Sequence, residues 1–193
     1  MGNGQQNLSR NTKAYLQRFQ CILDKMIRGM TGALLTDSIS HNFIAQMIPH
    51  HTAAIEMSEN ILRYTTDIPV QNIALQIVAE QTKSIENMRQ IENNCGCVKN
   101  SPEAVRRYQN RVSAILKEMF AGMQKACTDN RINADFMREM IPHHEGAVRL
   151  CENALQQEIC PQLCPILENI IVSQKRGIVQ MKTLLTLAQN CPY

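Results

Sequence analysis

Residues 43–54 read FIAQMIPHHTAA and residues 136–147 read FMREMIPHHEGA, so Met-Ile-Pro-His-His stands at 47–51 and again at 140–144. The copies lie 93 residues apart, and the same offset holds outward on both sides without an insertion. Upstream, Tyr15 meets Tyr108, Ile22-Leu23 meets Ile115-Leu116, and Met26, Gly29 and Met30 meet Met119, Gly122 and Met123. Downstream, Glu59-Asn60 meets Glu152-Asn153, and Ile77, Gln81, Ile85 and Met88 meet Ile170, Gln174, Ile178 and Met181. A register kept over this length marks a tandem duplication, with units at 8–100 and 101–193. Duplicated units that keep register stack on each other about a pseudo-twofold axis, burying faces that neither buries alone.

Each unit reads as three helices. Tyr15, Phe19, Ile22, Leu23, Met26 and Met30 fall at helical spacing across a first helix, roughly 11–34. The second, roughly 40–64, carries the histidine pair. The third, roughly 68–93, has Ile73, Ile77, Gln81, Ile85 and Met88 along one stripe. Thr65 to Pro69 supplies the stop and start signals between the last two. In the second unit, Ser101-Pro102-Glu103 is an N-cap and first-turn pattern, and Cys160-Pro161 and Cys164-Pro165 mark the corresponding link. The expected fold is all-α, with six helices in an up-and-down bundle.

Composition narrows the function. The net charge of +3 comes from 20 basic residues interleaved with 17 acids, so no basic stripe for nucleic acid is expected. No apolar run reaches the roughly 18 residues of a membrane span, and no apolar leader opens the chain. The Met-Gly start lacks the Ser or Thr that myristoylation requires. The chain as given reads as cytoplasmic, and as periplasmic or secreted if a leader has been lost. Eight cysteines then read as reduced thiols in the first case and as a disulfide set in the second. Cys95-Gly-Cys97 and Cys160-x-x-x-Cys164 read as incidental or structural, with thiolate sites or exposed disulfides as the alternatives. Neither has a counterpart in the other unit, and no Cys-x-x-Cys zinc pattern occurs.

The chemistry concentrates at the repeated pentapeptide. Met47 precedes His50 and His51 by three and four residues, which puts a thioether and imidazoles on one helical face. Adjacent histidines point about 100° apart on a helix, so one is expected to face the core and the other a neighbouring helix or water. Pro49 and Pro142 each remove a backbone hydrogen bond and are expected to kink the helix beside the pair. Thioether sulfur suits Cu(I), and imidazole suits copper, zinc and nickel. A soft metal ion, copper first, is the expected partner, with Cu(I) bound more tightly than Zn(II).

The competing reading makes the methionines core filler and the histidines surface or capping residues. Four of the five histidines in two matched pairs weigh against it, while His41, opposite Ala134, has no assigned role. A di-iron site would need Glu-x-x-His, but Glu139 lies four residues before His143 and its counterpart is Gln46. No Ser or Cys sits in a local nucleophile motif, so no enzymatic activity is expected. The rival functional class is a structural or interaction bundle without a metal. Homo-oligomerisation is left open.

The pattern Phe-x-x-x-Met-Ile-Pro-His-His with Ala54 or Gly146-Ala147, followed by Ile-x-x-x-Gln-x-x-x-Ile-x-x-Met, resembles a bacterial family known as domain of unknown function 305. The likeness covers 43–54 with 77–88 and 136–147 with 170–181. It implies a ferritin-like helical bundle, and some members of the family are periplasmic or secreted copper-binding proteins using Met and His. It also implies a ligand set of Met47, His50, His51 and Met88, with Met140, His143, His144 and Met181 as partners. Many relatives carry an acid where this chain has Ser84 and Gly177.

Overall fold

The computed structural model describes residues 8–126 and 128–190, the last three of these by backbone alone. The segment at 1–7 on which the leader and myristoylation readings partly rest, Cys127, and the end of the second unit at 191–193 lie outside the described residues. Six helices and no strand make up the described chain: α1 (Arg10–Thr31), α2 (Ile39–Leu62), α3 (Ile68–Cys95), α4 (Pro102–Gln124), α5 (Ile132–Leu155) and α6 (Cys164–Asn190). None is long and apolar enough to cross a membrane.

Local chemistry sets most of these boundaries. Ser9, Ser38, Asp67 and Ser101 each accept a hydrogen bond from the backbone N–H three residues on, at Thr12, His41, Val70 and Ala104. Such a cap satisfies one of the four amides a helix start leaves unpaired. Pro69 and Pro102 occupy first-turn positions where no N–H is needed. Arg131, before α5, makes no side-chain cap. The first helix stops at Thr31, three residues short of the sequence expectation, because Gly32 closes it through its N–H to the Arg28 carbonyl at 2.9 Å.

Helix α2 packs on α3 and α5, and α6 packs on α3 and α5, closing a four-helix ring; α1 flanks α2 and α4 flanks α5. The flanking helices bury one stripe each, Tyr15, Phe19, Ile22, Leu23, Met26 and Met30 on α1 and Tyr108, Val112, Ile115, Leu116, Met119 and Met123 on α4. The central pair α2 and α5 is buried on several faces, polar side chains included. The bounds of α2 and α5 differ by 93 at both ends. Asn60 Nδ2 donates to the Tyr15 carbonyl at 3.1 Å, and Asn153 Nδ2 to the Tyr108 carbonyl at 3.3 Å.

Two features stitch the halves together. Asn100 accepts from the Ile39 N–H at 2.9 Å and donates to the Glu158 carbonyl at 2.7 Å. Cys95, at the end of α3, is disulfide-bonded to Cys160 in the α5–α6 link. Both residues are buried, so one cysteine of each motif has a structural use, and this pair is neither the reduced thiols nor the exposed disulfides of the other readings. Cys97 and Cys164 remain free thiols.

Candidate metal centre

The pentapeptides fall in the middle of α2 and α5, and both prolines sit inside continuous helix. Room for their rings comes from α1 and α4. A Cβ on Gly29 would lie 2.7 Å from Pro49 Cβ, and one on Gly122 3.0 Å from Pro142 Cβ. Glycine at these repeated positions therefore lets the flanking helix approach a ring that a side chain would push away.

All four histidines of the pairs are at most 1% exposed, so neither member of a pair turns to water. His50 and His143 meet across the α2–α5 contact with ring centroids 3.6 Å apart and planes 29° apart. Their hydrogen bonds are reciprocal: His50 Nε2 lies 3.3 Å from the His143 carbonyl, and His143 Nε2 lies 3.2 Å from the His50 carbonyl. A carbonyl only accepts, so each Nε2 carries the proton and each Nδ1 keeps its lone pair. The outer pair diverges. His51 Nε2 lies 3.0 Å from Ser84 Oγ on α3, whereas His144 faces the backbone of α6 at Gly177, where a Cβ would stand 3.0 Å from its Cδ2.

Burial governs the protonation of all four. It lowers His51 to about 3 and His143 to about 4, and it holds His50 and His144 well below the ordinary imidazole value. Repulsion from His143 works in the same direction on the other three. The imidazoles are therefore neutral at physiological pH, the state in which histidine binds metal. All four Nδ1 atoms are buried without a hydrogen-bond partner. A ring N–H tied to a backbone carbonyl with the other nitrogen free is the arrangement that prepares a histidine to ligate a metal.

Met47, Met88, Met140 and Met181 are buried to 1% exposure or less and belong to the same core cluster. Among the described residues no group of three or more His, Cys, Asp and Glu side chains is drawn together to hold a metal ion.

Sequence reasoning missed a buried acid beside this core. Tyr15 on α1 donates its hydroxyl to Glu139 Oε2 on α5 at 2.7 Å, joining the two halves. Burial raises the Glu139 carboxyl to about 8 and outweighs that hydrogen bond, which favours the charged form. Asp135, one turn earlier, is raised by burial to about 6 despite Arg138 at 3.2 Å. The offset pairs these acids with Gln46 and Asn42, and that change of charge is the only trace the sequence carries of their role.

A family model described as a domain of unknown function (DUF305) matches residues 40–185. A DUF305 fragment from Deinococcus radiodurans is similar in structure, with a TM-score of 0.56 and 24% identity over 77% of this chain and 95% of that one. CopM in a silver-bound form obtained by soaking is similar at a TM-score of 0.57 and 24% identity, over 78% of this chain and 97% of that one. At such identity the likeness is one of fold. Among curated proteins none matches the chain.

Proposed function

The chain belongs to the family described as a domain of unknown function (DUF305), and from that premise we propose that it binds and sequesters a soft metal ion, copper as Cu(I), through histidine and methionine. One observation carries the proposal: four buried, neutral imidazoles each keep an unpartnered Nδ1 within a methionine-rich core. Met47, His50, His51 and Met88 would serve one half, and Met140, His143, His144 and Met181 the other. When bound, the ion would take lone pairs from nitrogen and sulfur. The protein's part is to hold His50 and His143 in one tautomer and to exclude water. The silver bound in that form of CopM is a soft monovalent ion of the same preference. The role is binding and not catalysis.

The finer architecture belongs to the same proposal: a ferritin-like bundle of two three-helix repeats, 8–100 and 101–193, about a pseudo-twofold axis. The reciprocal His50–His143 contact supports it. The Cys95–Cys160 disulfide supports an oxidising compartment, periplasmic or extracellular, over the cytoplasm. A purely structural bundle is the rival, and it leaves four buried imidazole nitrogens without a partner, each a cost to folding.

Anaerobic Cu(I) titration against a competing chelator separates the two, with accessible thiols alkylated and folding checked by circular dichroism. Wild type is expected to take up Cu(I) tightly, and His50→Ala, His51→Ala, His143→Ala and His144→Ala combined to lose it. Unchanged stoichiometry in a folded quadruple variant overturns the proposal.

A further inference from the structure

The outer histidines are equivalent in register and unequal in access. His51 lies at a groove of about 450 Å³ between α3 and α6, whose walls include Ser84, Asn87, Asn169 and Arg176. His144 adjoins a cleft of about 10 Å³ at the same seam, on a stretch that includes Gly177. That space is roughly what one water requires. Gln81 and Gln174 line both openings. Each is 2% exposed, and each keeps a buried Oε1 without a hydrogen-bond partner. A buried carbonyl oxygen without a donor is costly and calls for a water, a ligand or a cation.

We propose that the α3–α6 groove is the path by which the metal ion reaches the core, that the Gln81 and Gln174 amide oxygens are its way station, and that the His51 half loads before the His144 half. The inference rests on the metal-binding reading above. Amide oxygen is a hard donor that holds a soft ion loosely, whereas imidazole nitrogen and thioether sulfur hold it firmly. The donors therefore strengthen from the groove floor to the core, and the ion moves inward. The charges on the wall are compensated, Glu80 by Arg176 across the seam and Lys83 by Glu86, so the inward pull comes from the donors and not from net charge. At the other end the Gly177 backbone lies against His144 and leaves space for little beyond the ion itself.

The test is titration with Ag(I) alone of isotope-labelled, thiol-blocked protein, read from the imidazole resonances by NMR. At substoichiometric Ag(I) the His51 signals are expected to change while those of His144 persist. Asn87→Trp, which narrows the groove wall, is expected to slow loading about tenfold with no change in final stoichiometry. His144 responding first or together with His51, or Asn87→Trp loading at the wild-type rate, overturns the route. Should no histidine respond to Ag(I) at all, the metal-binding reading itself falls. Binding in the wrong order removes only the route, and the wild-type order alone decides the matter if the variant misfolds.

Discussion

Glu139 and Gln46 stand at the same place in the two halves, four residues before His143 and His50, and they are held differently. Gln46 donates to the Met30 carbonyl at 3.2 Å within its own half. Glu139 accepts from Tyr15 of the other half. One turn earlier the roles coincide: Asn42 Oδ1 accepts from the Thr36 N–H at 2.7 Å and Asp135 Oδ1 from the Asp129 N–H at 3.1 Å. The helical frame thus tolerates exchange of amide for acid because each position needs an oxygen or amide that can bond locally, which both side chains supply. What changes is the response to protons, and the second half alone carries it.

The largest expected effect follows from that difference. Glu139 has a folded value of about 8 against an ordinary 4.5. The unfolded chain releases this proton first, so the folded state binds more protons between those values and stability falls as pH rises through them. The histidines act oppositely. Their folded values lie below the ordinary 6.5, so the unfolded chain takes up protons first on acidification, and stability is lost as pH falls below 6.5. Four imidazoles outweigh two acids on the acid side, and the metal-free protein is expected to be most stable near about pH 7. Denaturant unfolding from pH 5 to 9 should show a loss of several kcal/mol toward pH 5, since a tenfold difference in proton affinity between folded and unfolded chain is worth about 1.4 kcal/mol. Glu139→Gln should stabilise the protein at pH 9 by a few kcal/mol and far less at pH 5. An equal gain at both pH values would mean that Glu139 is ionised in the fold.

A second contrast concerns the flanking helices. Gly29 and Gly122 make the same approach to a proline, but the first is closer, 2.7 Å against 3.0 Å for an added Cβ. Alanine gains up to about 1 kcal/mol of helix propensity over glycine. The clash with a rigid ring acts against this, at about 1–3 kcal/mol for overpacking. Gly29→Ala is expected to lower stability by about 2 kcal/mol and Gly122→Ala by about 1 kcal/mol or less. Thermal unfolding of the two variants ranks them, and the reverse order would place the tighter packing in the second half.

The helices were legible because their signals are local. The Tyr15-to-Met30 stripe, Ser101-Pro102 and Asp67 with Pro69 state periodicity and caps within a few residues, and the 93-residue offset carried those readings across the chain. The histidines were legible as pairs, but their directions were not. Whether His50 faces His143 or solvent depends on how α2 crosses α5, and no spacing within either helix encodes that. The Cys95–Cys160 bond spans 65 residues and joins a helix end to a link, so neither short cysteine motif foretold it. Tyr15 and Glu139, 124 residues apart, are hidden in the same way.

Ser84 and Gly177 yield the smallest effect and the finest comparison. Ser84 Oγ is the partner of His51 Nε2 at 3.0 Å, while the Gly177 position has no side chain to offer His144. Losing a hydrogen bond whose partner stays buried ordinarily costs about 1–3 kcal/mol. Ser84 and His51, however, both line the α3–α6 groove, so water can occupy the vacated place and satisfy the ring nitrogen. Ser84→Ala is therefore expected to cost less than about 1 kcal/mol in denaturant unfolding. A cost near about 3 kcal/mol would show that water does not reach His51, and it would remove the difference in access that separates the two halves.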